Sequence, residues 1–266
     1  MGRSSGSSTG SAGRADPVIP YFGLPITPET AAAVAVTAGH ACVPFPDPRN
    51  LGLVASVCQS FMIDNGAFTA WKQGKPITDW APFYEWAAQC KLIPSCDFAV
   101  IPDVIDGSDA DNDALLAEWP LPKWFGAPVW HLGSSFDRLE RLASSWPRIC
   151  LGSSGEFANI GTVAWWGRMA QAMRVVCDDD GRPMVRMHGL RMLDPAIFTN
   201  LPFASADSTN IAKNIGIDQA WRGTYTPPTK EARAQVMRAR TEAYNAPARW
   251  GFIVPEAQLA EQGTLL

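Results

Sequence analysis

Short apolar segments that alternate with stretches of helical pattern are the feature that most limits how this 266-residue chain can fold. Most segments end in Gly, Pro or a polar residue, and several precede a helical pattern such as Ser135–Ser145. Strand followed by helix, repeated, predicts a parallel sheet. Eight such strands in about 250 residues predict a (β/α)8 barrel. The segments are Val18–Phe22, Ala41–Phe45, Ser60–Asp64, Phe98–Asp103, Pro128–His131, Arg148–Leu151, Val185–His188 and Phe203–Asp207.

The predicted fold class is therefore α/β, a single-domain TIM-like barrel over residues 17–250. A doubly wound open sheet is the alternative, but the Gly-x-Gly-x-x-Gly turn that often follows its first strand is missing. Residues 1–16 are rich in Gly and Ser and lack the apolar core of a signal peptide, so we expect a flexible tail. Residues 251–266 are expected to be a C-terminal extension.

Composition excludes several classes of protein. The formal net charge of −4 excludes histone-like binding driven by overall positive charge. Six cysteines without a Cys-x-x-Cys pair, and three scattered histidines, give no support for a structural zinc site. The cysteines read as reduced core residues of a cytoplasmic protein. No apolar run is long enough for a transmembrane helix. We expect neither a metal nor a cofactor.

Polar residues stand where the predicted strands end, and in a β/α barrel these ends carry the active site. Each alone is equally well explained as a helix cap or turn residue. Three of them are carboxylates, which would all face one mouth. The residues are Asp64, Asp103, His131, His188, Asp207 and the turn Gly152, Ser153, Ser154, Gly155 and Glu156.

Three converging carboxylates beside a glycine-rich turn are compatible with two kinds of chemistry. One is a metal site built from oxygen ligands. The other is glycosyl chemistry, in which one carboxylate attacks the anomeric carbon and a second group protonates the leaving group. The third carboxylate would then accept N–H donors of a base. Serine-hydrolase chemistry is not expected, because LGSSGE lacks the Gly-x-Ser-x-Gly elbow and the sequence places no histidine beside it.

The order and form of these strand ends resemble the tRNA-guanine transglycosylases and their DNA-modifying relatives. FMIDNGAF resembles that family's Asp-Ser-Gly-Gly-Phe turn, and AVIPDV resembles the strand whose Asp reads the guanine edge. VWHLGSS is similar to its Val-Gln-Gly-Gly strand, LGSSGE to Leu-Ala-Val-Gly-Glu, and MHGLRML to its Met-Gly-Val-Gly turn. ASADS resembles its Phe-Asp-Cys strand. The resemblance covers roughly Ser60 to Asn214 and is nearest to the short phage and bacterial proteins associated with 7-deazaguanine in DNA.

The resemblance implies a role for each matched position. Asp207 matches the nucleophile, and Asp64 would be the general acid and then the general base. Asp103, His131 and the backbone of Gly152–Gly155 would hold the base. Glu156 or His188 would sense the substituent at position 7. The implied reaction replaces guanine in DNA by a 7-deazaguanine through a covalent Asp-glycosyl intermediate, without a cofactor.

Two departures bear on the substrate. The tRNA enzymes carry a C-terminal Cys-x-Cys-x-x-Cys…His zinc site, whereas here no Cys follows Cys177 and no His follows His188. The zinc subdomain is therefore missing, and with it the main argument for a tRNA substrate. His131 stands where the family has Gln, which changes the hydrogen bonds available to a base.

Other readings stay open. The chain could act on RNA, could be a barrel glycosidase or N-glycosidase that uses water, or could be a non-catalytic base-binding subunit of a DNA-modification complex. A protein partner for target recognition is also expected. Trp71 and Trp130 follow or end strands and are candidates for base stacking. A basic C-terminal stretch reads either as a solvated helix face or as a surface for the phosphate backbone. Its residues include Lys213, Arg222, Arg233, Arg238 and Arg240.

Overall fold

A computed structural model describes residues 17–216, 221 and 225–251. The predicted N-terminal tail, all but the first residue of the predicted C-terminal extension, and Arg222 lie outside the described residues. Within the described part, no helix is long and apolar enough to cross a membrane.

All the strands of the described residues lie parallel in one sheet. They are β1 (Ile19–Gly23), β2 (His40–Pro44), β3 (Ser60–Asp64), β4 (Cys96–Val100), β5 (Gly126–Ala127), β6 (Val129–His131), β7 (Arg148–Gly152), β8 (Arg186–Gly189) and β9 (Ser205–Ser208). Their spatial order is β5-β4-β3-β2-β1-β9-β8-β7-β6. β5 and β6, the strands at the two ends of that order, are consecutive in sequence. The two edges of the sheet therefore lie side by side, and the sheet curves into a barrel.

Pro128 explains why nine strands appear where eight were predicted. Proline has no N–H and interrupts a ladder, so β6 covers the fifth predicted strand after Pro128, and a short strand before the proline, β5, was not predicted. The N–H of Ala99 in β4 donates to Phe125 O at 2.7 Å on one side of the break. On the other side, the N–H of Cys150 in β7 donates to Pro128 O at 2.8 Å. The predicted TIM-like barrel is confirmed, and the doubly wound alternative is wrong.

The helices lie between the strands, as the alternating pattern predicts. They are α1 (Glu29–Val36), α2 (Leu51–Val57), α3 (Ala67–Lys72), α4 (Ala81–Cys90), α5 (Asp109–Ala117), α6 (Phe136–Ser145), α7 (Val163–Val176), α8 (Pro195–Phe198), α9 (Asn210–Asn214) and α10 (Lys230–Glu242). Hydroxyl caps fix several starts. Ser135 Oγ accepts from the N–H of Arg138 at 3.2 Å, and Ser108 forms a capping box with Asp111.

The barrel interior is filled by side chains and is not a pore. Tyr21, Met62, Phe98 and Cys150 are fully buried there. Toward the N-terminal ends of the strands, Tyr21 Oη donates to Asp97 at 2.7 Å. The six cysteines are free thiols, five of them buried, as predicted.

Truncating the lumen should destabilise the barrel strongly. Phe98→Ala removes a fully buried ring that contacts Tyr21 and His188 edge-on. We expect the free energy of unfolding to fall by about 3–5 kcal/mol in urea denaturation. Trp124→Ala removes a larger ring that is 59% exposed, and should cost much less. Equal losses from the two substitutions would contradict this account of the core.

Candidate active site

Asp64 and Asp207 lie at the same end of the barrel. Asp64 is the last residue of β3, and Asp207 lies in β9 opposite Tyr21 of β1. Asp103 is buried in the loop after β4 and joins them at this end, which we call the mouth. The predicted convergence of three acids is therefore present in the fold. Their proximity follows from parallel strands, which all deliver their C-terminal ends to one side.

The turn after β3 fixes how Asp64 is presented. Gly66 has a φ of 79°, and a Cβ there would stand 2.3 Å from Pro46 Cγ, so only glycine fits. The N–H of Gly66 donates to Asp64 Oδ2 at 3.2 Å. Asn65 Nδ2 donates to Ile101 O at 2.9 Å and to Asp103 Oδ1 at 3.0 Å, which ties this turn to the next loop.

Asp64 carries the clearest electrostatic perturbation among the three acids. Enclosure by the barrel walls disfavours its charged form, and the negative charges of Asp207 and Asp103 add to that effect. The Gly66 N–H and the Arg191 guanidinium oppose it. The net result raises the pKa of Asp64 to about 7. Near neutral pH this carboxyl therefore exists in both protonated and ionised forms, as an acid–base group requires.

One oxygen of Asp207 is held from two sides. Oδ1 accepts the backbone N–H of Arg191 at 2.8 Å and lies 3.3 Å from His188 Nε2. The other ring nitrogen of His188 lies 2.8 Å from Ser205 Oγ, and the histidine is fully buried beneath the mouth. Within the described part of the chain, no hydrogen bond reaches Oδ2 of Asp207. This arrangement fixes the carboxylate in one orientation and leaves one oxygen for a reacting atom.

His131 and the β7 turn form the opposite wall. His131 Nε2 is buried 2.9 Å from Asp103 Oδ2, although the two are not aligned as a hydrogen bond. Its Nδ1 lies 3.3 Å from Ser154 Oγ. A Cβ at Gly152 would stand only 3.1 Å from His131 Nδ1, so the glycine makes room for the ring. The sequence alone did not place a histidine beside the serines of this turn, and the structure places His131 there.

The remaining predicted base-binding positions differ in access. Ser153 and Ser154 are buried, and Ser153 Oγ accepts from Trp165 Nε1 at 2.8 Å. Gly155 and Glu156 are exposed in the turn that follows β7. His188 lies below Asp207 and is enclosed on all sides. Trp130 is also fully buried, with its Nε1 donating to Ser135 O, so it is wrong as a stacking candidate.

Arg191 is the site residue that sequence reasoning missed. It lies after β8 with a φ of 59°, an unusual conformation for a residue other than glycine. Its backbone N–H donates to Asp207 Oδ1, and its Nη2 donates to Ser153 O at 2.7 Å. Burial lowers the pKa of its guanidinium, while Asp207 and Asp64 act in the opposite direction. The MHGLR turn was the available signal, but only its histidine was singled out.

The predicted phosphate-binding residues do not form one surface at the mouth. Arg238 Nη1 donates to Thr37 O at 2.7 Å, which lies near the start of β2 at the other end of the barrel. Arg233 donates from Nε to Pro227 O at 3.0 Å and so braces the start of α10. Arg240 stacks on Trp221, and Lys213 is exposed on α9. Two of these cations therefore hold helices in place.

A cavity of about 470 Å³ opens at the end opposite the mouth. Asp97, Arg148 and Arg186 contribute to its lining. Asp97 accepts from both Tyr21 and Arg148, so its charge is already compensated inside the fold. The N-terminal end of such barrels serves stability. We therefore place the candidate site at the mouth, where the acids lack such compensation.

Among the described residues, no group of three or more His, Cys, Asp or Glu side chains is placed to hold a metal ion. The oxygen-ligand metal site considered from sequence is therefore not present among them.

No protein-family model matches the chain, and no curated protein matches it either.

The raised pKa predicts how stability depends on pH. An unfolded aspartate ionises near pH 3.8, whereas folded Asp64 ionises near 7. Ionisation therefore costs folding free energy above about pH 4, and this cost increases up to about pH 7. Asp64→Asn removes the cost. From pH 4 to pH 8 the free energy of unfolding of the variant should therefore rise by about 1–3 kcal/mol relative to that of wild type.

Urea denaturation at the two pH values measures this gain. The same substitution at Asp106, an exposed residue in the loop after β4, controls for losing one negative charge. A difference between Asp64→Asn and wild type that is the same at both pH values would contradict the electrostatic account.

Proposed function

We propose that the mouth catalyses base exchange at a glycosidic bond of DNA, replacing guanine by a 7-deazaguanine. The observation that carries the proposal is the pairing of two different carboxyl groups at one mouth. Asp207 has one oxygen fixed and the other without a hydrogen bond among the described residues. Asp64 has a pKa of about 7. Two carboxyl groups in such different surroundings can divide the work, one as nucleophile and the other as acid–base group.

In the first half of the reaction, Oδ2 of Asp207 attacks C1′ of the target deoxyguanosine. The C1′–N9 bond breaks, its electron pair leaves with guanine, and protonated Asp64 gives its proton to the departing base. The product is a glycosyl ester of Asp207. In the second half, ionised Asp64 takes the proton from N9 of the incoming 7-deazaguanine. That nitrogen forms the new bond to C1′, and the Asp207 carboxylate leaves.

The base itself would be held by Asp103, His131 and the β7 turn. Asp103 accepts N–H donors, and its orientation is set by Asn65. His131 would donate or accept one hydrogen bond where the family it resembles has a glutamine. Glu156, which is exposed at the rim, would contact a substituent at position 7 of the base, whereas His188 lies beside Asp207 and would hold it. A target base reaches such a pocket only after leaving the stack.

The order of the motifs supports exchange over the other readings. Resemblance to the transglycosylases extends over six strand ends in the same order. DNA is proposed over tRNA because the residues resemble most the short proteins associated with 7-deazaguanine in DNA. A hydrolase would use the same carboxylates with water, and a base-binding subunit would need no nucleophile. The products therefore distinguish these readings.

Asp207→Asn tests the proposed nucleophile. Wild type incubated with guanine-containing DNA should form a covalent protein–DNA adduct that survives denaturation, and added 7-deazaguanine should release a strand of altered mass. Asp207→Asn should lose both, because an amide is a poor nucleophile, with a fall in rate of about 10³-fold or more. Unfolding by urea should show that the variant still folds.

The products are read by mass spectrometry of the intact strand and its nucleosides. An abasic strand with free guanine would overturn exchange in favour of hydrolysis. Unchanged exchange by Asp207→Asn would contradict the assignment of the nucleophile, and binding of the base without any change in the strand would favour a non-catalytic role.

An ester or amide hydrolase is a second candidate, because Ser154, His131 and Asp103 form a serine–histidine–aspartate series. The series is almost fully buried, and Nδ1 faces the serine, whereas Nε2 does so in the familiar proteases. We therefore expect a fluorophosphonate probe to leave Ser154 unlabelled. Peptide mass spectrometry showing the probe on Ser154 would favour the hydrolase.

A further inference from the structure

We infer that Phe68 and Trp71, with Arg191 beside them, form a shelf that stacks the nucleotide next to the target. The substrate would then be single-stranded or locally opened DNA. This inference rests on the proposed function, since it specifies the form of DNA that the same mouth accepts. We call these three residues the mouth shelf.

The mouth shelf is a row of cation–ring and ring–ring contacts that begins beside the acids. The Arg191 guanidinium lies 3.8 Å from the centre of the Phe68 ring. The Phe68 and Trp71 rings are 5.8 Å apart at 38° to each other. Helix α3, which carries both rings, begins three residues after Asp64. A strand whose target base enters the mouth would therefore pass over these rings.

Packing within the fold leaves part of the outer ring uncovered. Ala67 is the buried residue of α3, and Phe68 is partly buried against the core. Trp71 is 38% exposed at the end of the stack. Large aromatic rings are usually placed where they bury area. A nucleobase would cover this ring, and such stacking contributes about 1–3 kcal/mol per base.

Charge around the mouth shelf suits a nucleic-acid strand. Lys72 and Lys75 are exposed on the segment that follows Trp71. A guanidinium has five N–H donors, and among the described residues that of Arg191 donates only to Ser153 O. Cations next to aromatic rings are the combination that single-strand-binding sites use. In a duplex the base faces are covered by neighbouring base pairs, so the shelf selects unstacked strands.

Trp71→Ala tests the mouth shelf through binding. Fluorescence anisotropy would measure the Kd of the full chain for a labelled single-stranded DNA oligonucleotide and for the duplex of the same sequence. Wild type should bind the single strand more tightly than the duplex. Trp71→Ala should weaken single-strand binding about 5- to 100-fold, and Trp71→Phe should retain most of it. Trp124→Ala removes an exposed ring at the other end of the barrel and should bind as wild type does.

Base exchange measured on the same proteins separates this inference from the proposed function. Trp71→Ala should raise KM for the strand and leave kcat nearly unchanged. Two results would overturn the mouth shelf while leaving exchange intact. One is a Trp71→Ala variant whose Kd and KM for the single strand equal those of wild type. The other is a wild-type protein that binds the duplex more tightly than the single strand. Single-strand binding that depends on Trp71 in a protein without exchange would overturn the proposed function alone.

Discussion

Like charges brought to one mouth are the constraint on which the rest of this structure depends. A nearly closed parallel barrel delivers every strand end to the same side, so the acids of β3, of the loop after β4 and of β9 come together regardless of their distance in sequence. Three carboxylates in such an enclosure do not all ionise freely. The fold resolves the conflict by leaving Asp64 protonated up to about pH 7. The same burial and charge repulsion that lower stability provide an acid–base group.

The loops around the mouth distribute the remaining charge. Asn65 connects the β3 turn to Asp103, and Arg191 connects the β8 loop both to Asp207 and to the β7 turn. His188 supports Asp207 from below. Each contact joins two different strands, so the acids are held by the barrel as a whole. Groups held in this way need little reorganisation during a reaction.

The fold could be predicted from the sequence because the strand pattern and the helix pattern were both clear. Ser60–Asp64 was predicted with the bounds that β3 has, and only the break at Pro128 changed the strand count. The individual site residues were also recognisable, since each ends an apolar run. Their partners were not. Nothing in MHGLR indicates that Arg191 adopts a positive φ and crosses the mouth, because that depends on loops distant in sequence.

The contacts of the charged side chains were the least predictable feature of the structure. The stretch with Arg233 and Arg238 could be either a solvated helix face with i,i+4 pairs or a surface for phosphates. Arg238 does pair with Glu242 at i,i+4, yet both arginines also donate to backbone carbonyls that hold helix α10. A cluster of cations in sequence does not show which carbonyls it meets after folding. Trp71 and Trp130 were equivalent candidates from sequence, and only the burial of Trp130 separates them.

The pKa of Asp64 is the quantity that tests the central claim most directly. Carbon-13 NMR titration of the aspartate carboxyls, assigned with Asp64→Asn, would measure it in wild type and in Asp207→Asn. The account predicts a value of about 7 in wild type and a lower value once the Asp207 charge is removed. A carboxyl that titrates near 4, unchanged by Asp207→Asn, would show that the acids do not share one environment and would contradict the account.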